Sequence, residues 1–209
     1  MFPPLYAILD RSLLSEPLPF ARKLAGAGVH LIQFRDKVSP ARRVYAETQE
    51  LMASLSPGGV RVIVNDRPDI AAMCGAAGVH VGQDDLPVEE ARRICPAPAW
   101  VGVSTHNLAQ LREADRTSAD YIAVGPIFPT ATKENPDPVV GIDFLREART
   151  LTRKPLVAIG GITIDTAADV FRAGADSVAI IRDLSSANDP AARAQEYLAV
   201  AERVRSARR

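Results

Sequence analysis

The chain has 209 residues, 47% of them hydrophobic, which is enough for a sizeable buried core and too apolar for a disordered segment. Its 25 basic and 25 acidic side chains cancel, so overall charge gives no reason to expect nucleic acid or an anionic membrane as a partner. No apolar run approaches the roughly 20 residues of a membrane span, MFPPLYAILD lacks the regions of a signal peptide, and Cys74 and Cys95 form no CxxC pair, so a soluble cytoplasmic protein with reduced thiols is expected.

Short β-rich runs alternate with helical patterns along the whole chain. LYAIL precedes PFARKLAGAG, and HLIQF precedes SPARRVYAETQELMASL. VIVN, GVHVG, WVGVS, YIAVG, LVAIG and SVAII follow, each with its own helical stretch. Eight β/α units without a linker, low-complexity segment or charge block predict an α/β protein with one domain over residues 1–209, a single (β/α)8 TIM barrel. A doubly wound open sheet is the alternative. In a barrel, functional groups stand at the C-terminal ends of strands or in the loops that follow.

The second strand carries Gln33, Arg35 and Lys37 at alternate positions, with Ile32 and Phe34 between them. Strand alternation turns the polar three to one side, toward the barrel mouth, and the apolar pair to the helical layer. An amide, a guanidinium and an ammonium together suit an anionic group beside a heteroaromatic ring. The third strand ends in Asn65-Asp66 and the fourth in Gln83-Asp84-Asp85. Asp66 and Asp85 are candidate Mg²⁺ ligands, since that ion takes one or two carboxylates plus water and substrate phosphate. Each also stands two residues before a proline that can open a helix, so helix capping is an equally open reading. Alternation turns Asp84 from the side shared by Gln83 and Asp85. His30, at a strand start, and His80, on the expected outward parity, read as packing residues. After the fifth strand, Ser104 is better placed for substrate than His106.

The segment GPIFPTATKENPDPVVG, residues 125–141, is long for a connection after a strand, and such loops are usually functional. Thr130, Thr132 and Lys133 offer hydroxyls and a cation for a phosphate group. AIGGIT brings Gly160 and Gly161 to the end of the seventh strand, where backbone N–H groups can approach an anion if no Cβ intervenes. A tight turn is the simpler alternative there. No Ser/His/Asp triad, zinc spacing or GxGxxG fingerprint occurs.

Taken in order, QFRDK, VNDRPD, GVHVGQDD, GVSTH, GPIFPTATK and AIGGIT resemble the thiamine phosphate synthases, from LYAILD to GADSVAII. The resemblance implies a Mg²⁺-dependent transferase that couples hydroxymethylpyrimidine diphosphate to a thiazole phosphate, carboxylated or not, and releases pyrophosphate. It implies small-molecule partners and leaves homo-oligomerisation open. By the matching motifs, Asp66 and Asp85 hold the metal. Gln33, Arg35, Lys37 and Asn65 hold the pyrimidine diphosphate, with Ser104 and Lys133 also on the diphosphate. Thr130 and Thr132 meet the thiazole phosphate, whose phosphate lies against Gly161, Ile181 and Arg182. The catalytic set implied is Arg35, Lys37, Ser104 and Lys133. The chain departs from the family where AIIRDLSS places Arg182 and Asp183 instead of a small serine, and where Phe34 and Asp36 replace the usual Leu and Glu. Three rivals are a thiazole tautomerase, whose telling histidine would stand where this chain has Pro126, a non-catalytic sensor of thiamine precursors, and another phosphate-binding barrel isomerase, which would call for acid/base carboxylates or Cys in the barrel mouth.

Overall fold

A computed structural model describes residues 1–130 and 137–207. Thr132 and Lys133, both assigned substrate contacts by motif, lie outside the described residues. Eight parallel strands close into a barrel in the order β1 to β8. They are β1 (Leu5–Asp10), β2 (Leu31–Arg35), β3 (Arg61–Asn65), β4 (Gly78–Val81), β5 (Trp100–Thr105), β6 (Tyr121–Val124), β7 (Leu156–Ile159) and β8 (Ser177–Ile180). The helices are α1 (Pro17–Gly26), α2 (Ala41–Leu55), α3 (Pro68–Met73), α4 (Val88–Ile94), α5 (Leu108–Arg116), α6 (Gly141–Leu151), α7 (Ile164–Arg172), α8 (Arg182–Ser185) and α9 (Pro190–Ser206). None is long and apolar enough to cross a membrane. Closure excludes the open-sheet alternative.

Alternation along each strand divides the core into two layers. Leu5, Ala7 and Leu9 of β1, with Ile32 and Phe34 of β2, pack outward against the helices. Tyr6, Ile8, Leu31, Ile63, Tyr121, Ala123, Val157 and Ala179 fill the barrel interior. The strand register sets Ile8 beside Gln33 and Asp10 beside Arg35. The polar parity expected for Gln33 is therefore the one found, with the amide buried inside the barrel.

The parity expected for His80 is not. Val79 and Val81 pack outward while His80 turns inward and lines the barrel cavity. The expectation fails because β4 ends at Val81 and a turn intervenes before Asp85, so alternation does not carry across residues 82–85. Asp85 returns to the mouth through that turn, held by the Gly82 N–H donating to its Oδ2 at 2.7 Å. Gln83 instead sits exposed, its Nε2 donating to the Ser104 carbonyl at 2.6 Å.

Candidate active site

The barrel mouth holds a cavity of about 500 Å³, within the range that takes small organic ligands. Of the residues singled out from sequence, Gln33, Arg35, Lys37, Asn65, Asp66, Asp85, Ser104, Thr130, Gly161, Ile181 and Arg182 all line it. Residues from seven strand ends, β2 to β8, thus converge on one space.

The carboxylates meet on one side. Asp66 and Asp85 lie close enough for their side chains to interact, and Lys37 Nζ stands 2.8 Å from Asp66 Oδ2. Burial, then the neighbouring Asp66 carboxylate, push the Asp85 carboxyl above its usual range. Capping does not explain the pair. The residue that caps α3 is Arg67 and the one that caps α4 is Pro87, and neither helix receives a side-chain cap bond. Asp66 also adopts φ 60°, the left-handed region that a short polar side chain tolerates best. Two carboxylates turned toward one another, one on strained backbone, are residues that could hold a hard cation. Among the described residues, no group of three or more His, Cys, Asp or Glu side chains gathers as a metal site, so other oxygens would have to come from water or substrate.

Arg35 is held rather than free. Its Nη1 donates to Asp10 Oδ2 at 2.5 Å, and Asp10 also accepts from the Ser12 N–H and hydroxyl at 3.0 and 2.6 Å. Asp10 was missed in the sequence reading. It ends a strand that reads as apolar, and only the register opposite Arg35 gives its carboxylate a purpose.

A second missed group runs across the barrel floor. Gln33 Nε2 donates to the Tyr6 hydroxyl at 2.7 Å, which bonds the Tyr121 hydroxyl at 2.9 Å. Tyr121 in turn reaches His80 Nδ1 at 3.1 Å, and His80 Nε2 meets Ser104 Oγ at 2.9 Å. Burial raises both phenols far above their usual range, so both stay neutral. The chain links two predicted substrate contacts, Gln33 and Ser104, through three side chains of otherwise apolar surroundings. The aromatic positions could have been found by matching their parity to Gln33, but not their pairing.

Gly102 makes room for this floor. A Cβ there would lie 2.0 Å from the Tyr121 ring and 2.4 Å from its hydroxyl. Phe2, Tyr6, His80 and Trp100 surround that ring, so it has little room to retreat. Gly102→Ala is expected to cost about 1–3 kcal/mol by overpacking, seen as a fall of several degrees in thermal unfolding. An unchanged transition would mean the floor is loosely held.

On the opposite wall, Gly160 and Gly161 have φ 97° and 63°. A Cβ on Gly161 would meet the Pro129 carbonyl at 2.4 Å, and one on Gly160 would meet Pro126 at 2.5 Å. The pair lets the segment after β6 dock on β7, with Ile127 and Phe128 N–H groups donating to the Ile159 and Gly160 carbonyls. At the end of β8, Arg182 lines the cavity, while Asp183 accepts from Arg193 Nη1 at 2.9 Å and from the Tyr197 hydroxyl at 2.7 Å.

A family described as thiamine monophosphate synthase matches residues 5–184. A thiamine-phosphate synthase of Koribacter versatilis is 49% identical over 205 residues, covering 95% of each chain. One from Methanospirillum hungatei is 40% identical over 195 residues, covering 92% of this chain and 95% of the relative. Among solved structures, a thiamine phosphate pyrophosphorylase from Pyrococcus furiosus superposes with a TM-score of 0.88 at 33% identity, over 96% of both chains. A match of this extent, on a barrel whose mouth gathers the family's motifs, establishes that the chain belongs to the thiamine monophosphate synthase family and is a transferase.

Proposed function

We propose that this barrel, acting as one cytoplasmic domain, couples 4-amino-2-methyl-5-hydroxymethylpyrimidine diphosphate to a thiazole phosphate. Thiamine phosphate forms and pyrophosphate leaves. The observation that carries the reading is the meeting of the Asp66 and Asp85 carboxylates with Lys37, in a mouth that Arg35 also lines. Acidic groups alone would repel a diphosphate, and cations alone would leave the carboxylate pair unexplained. A Mg²⁺ ion held by Asp66 and Asp85 satisfies both and, when bound, supplies positive charge against the diphosphate oxygens.

The reacting carbon is a methylene on an electron-rich aminopyrimidine. Its C–O bond can break first, with the bonding electrons leaving on the diphosphate, and the thiazole nitrogen then donates its lone pair to form the C–N bond. No protein nucleophile is required. One cation about 4 Å from the departing charge contributes about 4 kcal/mol at an effective dielectric of 20, whereas enzymes lower barriers by about 8 kcal/mol or more. Several positive centres are therefore needed. Arg35 and Lys37 supply two, and Lys133 a third from the segment after β6. Gln33 and Asn65 orient the pyrimidine, Ser104 steadies the diphosphate, and Thr130 and Thr132 hold the acceptor phosphate against Gly161, Ile181 and Arg182.

The test mixes purified protein with both substrates and Mg²⁺ and follows thiamine phosphate and pyrophosphate together. Equal, EDTA-sensitive formation of both is expected. Failure of both, with the carboxylated thiazole phosphate also tried on folded protein, would overturn the reading in favour of an isomerase or a binding protein.

A further inference from the structure

Gln33 sits where the barrel offers its amide little that is polar. Its register neighbours are Ile8 on β1 and Ile63 on β3, both buried in the barrel interior. The amide bonds one group, the Tyr6 hydroxyl, to which Nε2 donates at 2.7 Å. Among the described residues Oε1 accepts no hydrogen bond, yet it is not one of the buried oxygens that lack a partner, so it opens on the cavity that Gln33 lines. Tyr6 has no freedom to follow the amide. It is 1% exposed, its ring meets that of Tyr121 edge-on at 5.9 Å, and its hydroxyl lies 2.9 Å from the Tyr121 hydroxyl. The phenol is a fixed point against which the amide is set.

An amide anchored by its nitrogen turns its oxygen to a ligand. A 4-aminopyrimidine presents a donor, the amine, beside an acceptor, the ring nitrogen next to it. The 4-oxo counterpart presents the inverse, a carbonyl acceptor beside a ring N–H donor. Oε1 accepts from the amine, but against the carbonyl it sets two acceptors face to face and leaves both unpaired. A freely turning amide would take either ring. We propose that Tyr6 is a positioning residue that holds the Gln33 amide with Oε1 toward the cavity, and so makes the site select an aminopyrimidine diphosphate over its 4-oxo counterpart. This rests on the synthase reading and deepens it.

The test compares equilibrium binding of the two diphosphates by calorimetry, with Mg²⁺ and without the thiazole partner, so that ring electronics cannot act through the rate of C–O cleavage. The parent is expected to bind the amino compound at least about a hundredfold more tightly than the 4-oxo one, because a site built to pair a substrate N–H rejects the analogue lacking it. Tyr6→Phe keeps the ring and lets the amide turn over. It should bind the amino compound about tenfold more weakly and the 4-oxo compound no more weakly than the parent does, so the ratio falls about tenfold or more. A partly unfolded population would weaken both alike and leave the ratio unchanged.

Tyr121→Phe deletes the neighbouring hydroxyl but leaves the bond between Gln33 and Tyr6, and should keep the parental ratio. Gln33→Ala should abolish the preference, and Tyr6→Phe added to it should change the ratio no further, since Tyr6 acts only through the amide. A parental ratio in Tyr6→Phe, or an equal fall in Tyr121→Phe, would overturn the role of Tyr6. Should Tyr6→Phe not fold, the parent and Gln33→Ala still decide: a parent ratio near one, or a preference that survives Gln33→Ala, overturns the fixed amide. A folded parent that binds neither diphosphate would overturn the synthase reading itself, an outcome distinct from binding both alike.

Discussion

Asp85→Asn is expected to remove at least about 99% of turnover, because the amide weakens the cation site on which charge neutralisation of the diphosphate depends. The same change should stabilise the protein measured in EDTA. Burial and the nearby Asp66 carboxylate raise the Asp85 carboxyl, so the folded chain binds that proton more tightly than the unfolded chain does. The resulting stability is fully present below the unfolded carboxylate value and is lost as pH rises through the raised folded value. At neutral pH the metal-free pair therefore works against folding, and a neutral amide removes that cost. Thermal unfolding in EDTA across pH should show the parent falling behind Asp85→Asn as pH rises. With Mg²⁺ present, the advantage should shrink or reverse, since an ion bound only to the folded chain stabilises it. A variant less stable than the parent in EDTA at neutral pH would mean that its bond to the Gly82 N–H is the larger role of Asp85.

The second large effect comes from Asp10, a residue with no direct place in the proposed reaction. Removing one partner of a buried ion pair costs about 3–5 kcal/mol. Asp10 is nearly fully buried but the Arg35 side chain is 20% exposed, which moves the cost of Asp10→Ala to about 2–3 kcal/mol after solvent screening. Activity should suffer separately. Arg35 would lose the bond that aims its guanidinium at the mouth, and the KM for the pyrimidine diphosphate is expected to rise about tenfold or more. Asp10→Asn keeps an acceptor for Arg35 and the Ser12 N–H, and should recover part of both losses. An unchanged KM in folded Asp10→Ala would show that Arg35 is held by its own packing.

The barrel was legible in the sequence because eight short apolar runs recur with helical patterns between them, and because Ile32 and Phe34 alternate with Gln33 and Arg35. That alternation is a local property of one strand, so it survived folding intact. His80 was misread because the sequence does not mark where β4 stops, and parity carried through the following turn points the wrong way. Asp66 and Asp85 remained open between metal and cap, since both roles favour a carboxylate just before a helix. The observed first helical residues, Pro68 and Val88, remove the cap reading alone. The bond between Tyr6 and Tyr121 joins positions 115 apart. Nothing local encodes such a pairing; it exists because the barrel closes.

Closure also gives the floor of the mouth a direction. The Gln33 amide donates at one end, and if each hydroxyl passes its hydrogen onward, that of Tyr6 goes to Tyr121 and that of Tyr121 to His80 Nδ1. In that arrangement the imidazole carries its hydrogen on Nε2, aimed at Ser104 Oγ. Ser104 would then accept there, its own hydrogen would be left to point elsewhere, and an anion in the cavity would meet a donor. By such a relay, the orientation of one amide on β2 would set hydrogen-bond polarity on β5, across the barrel.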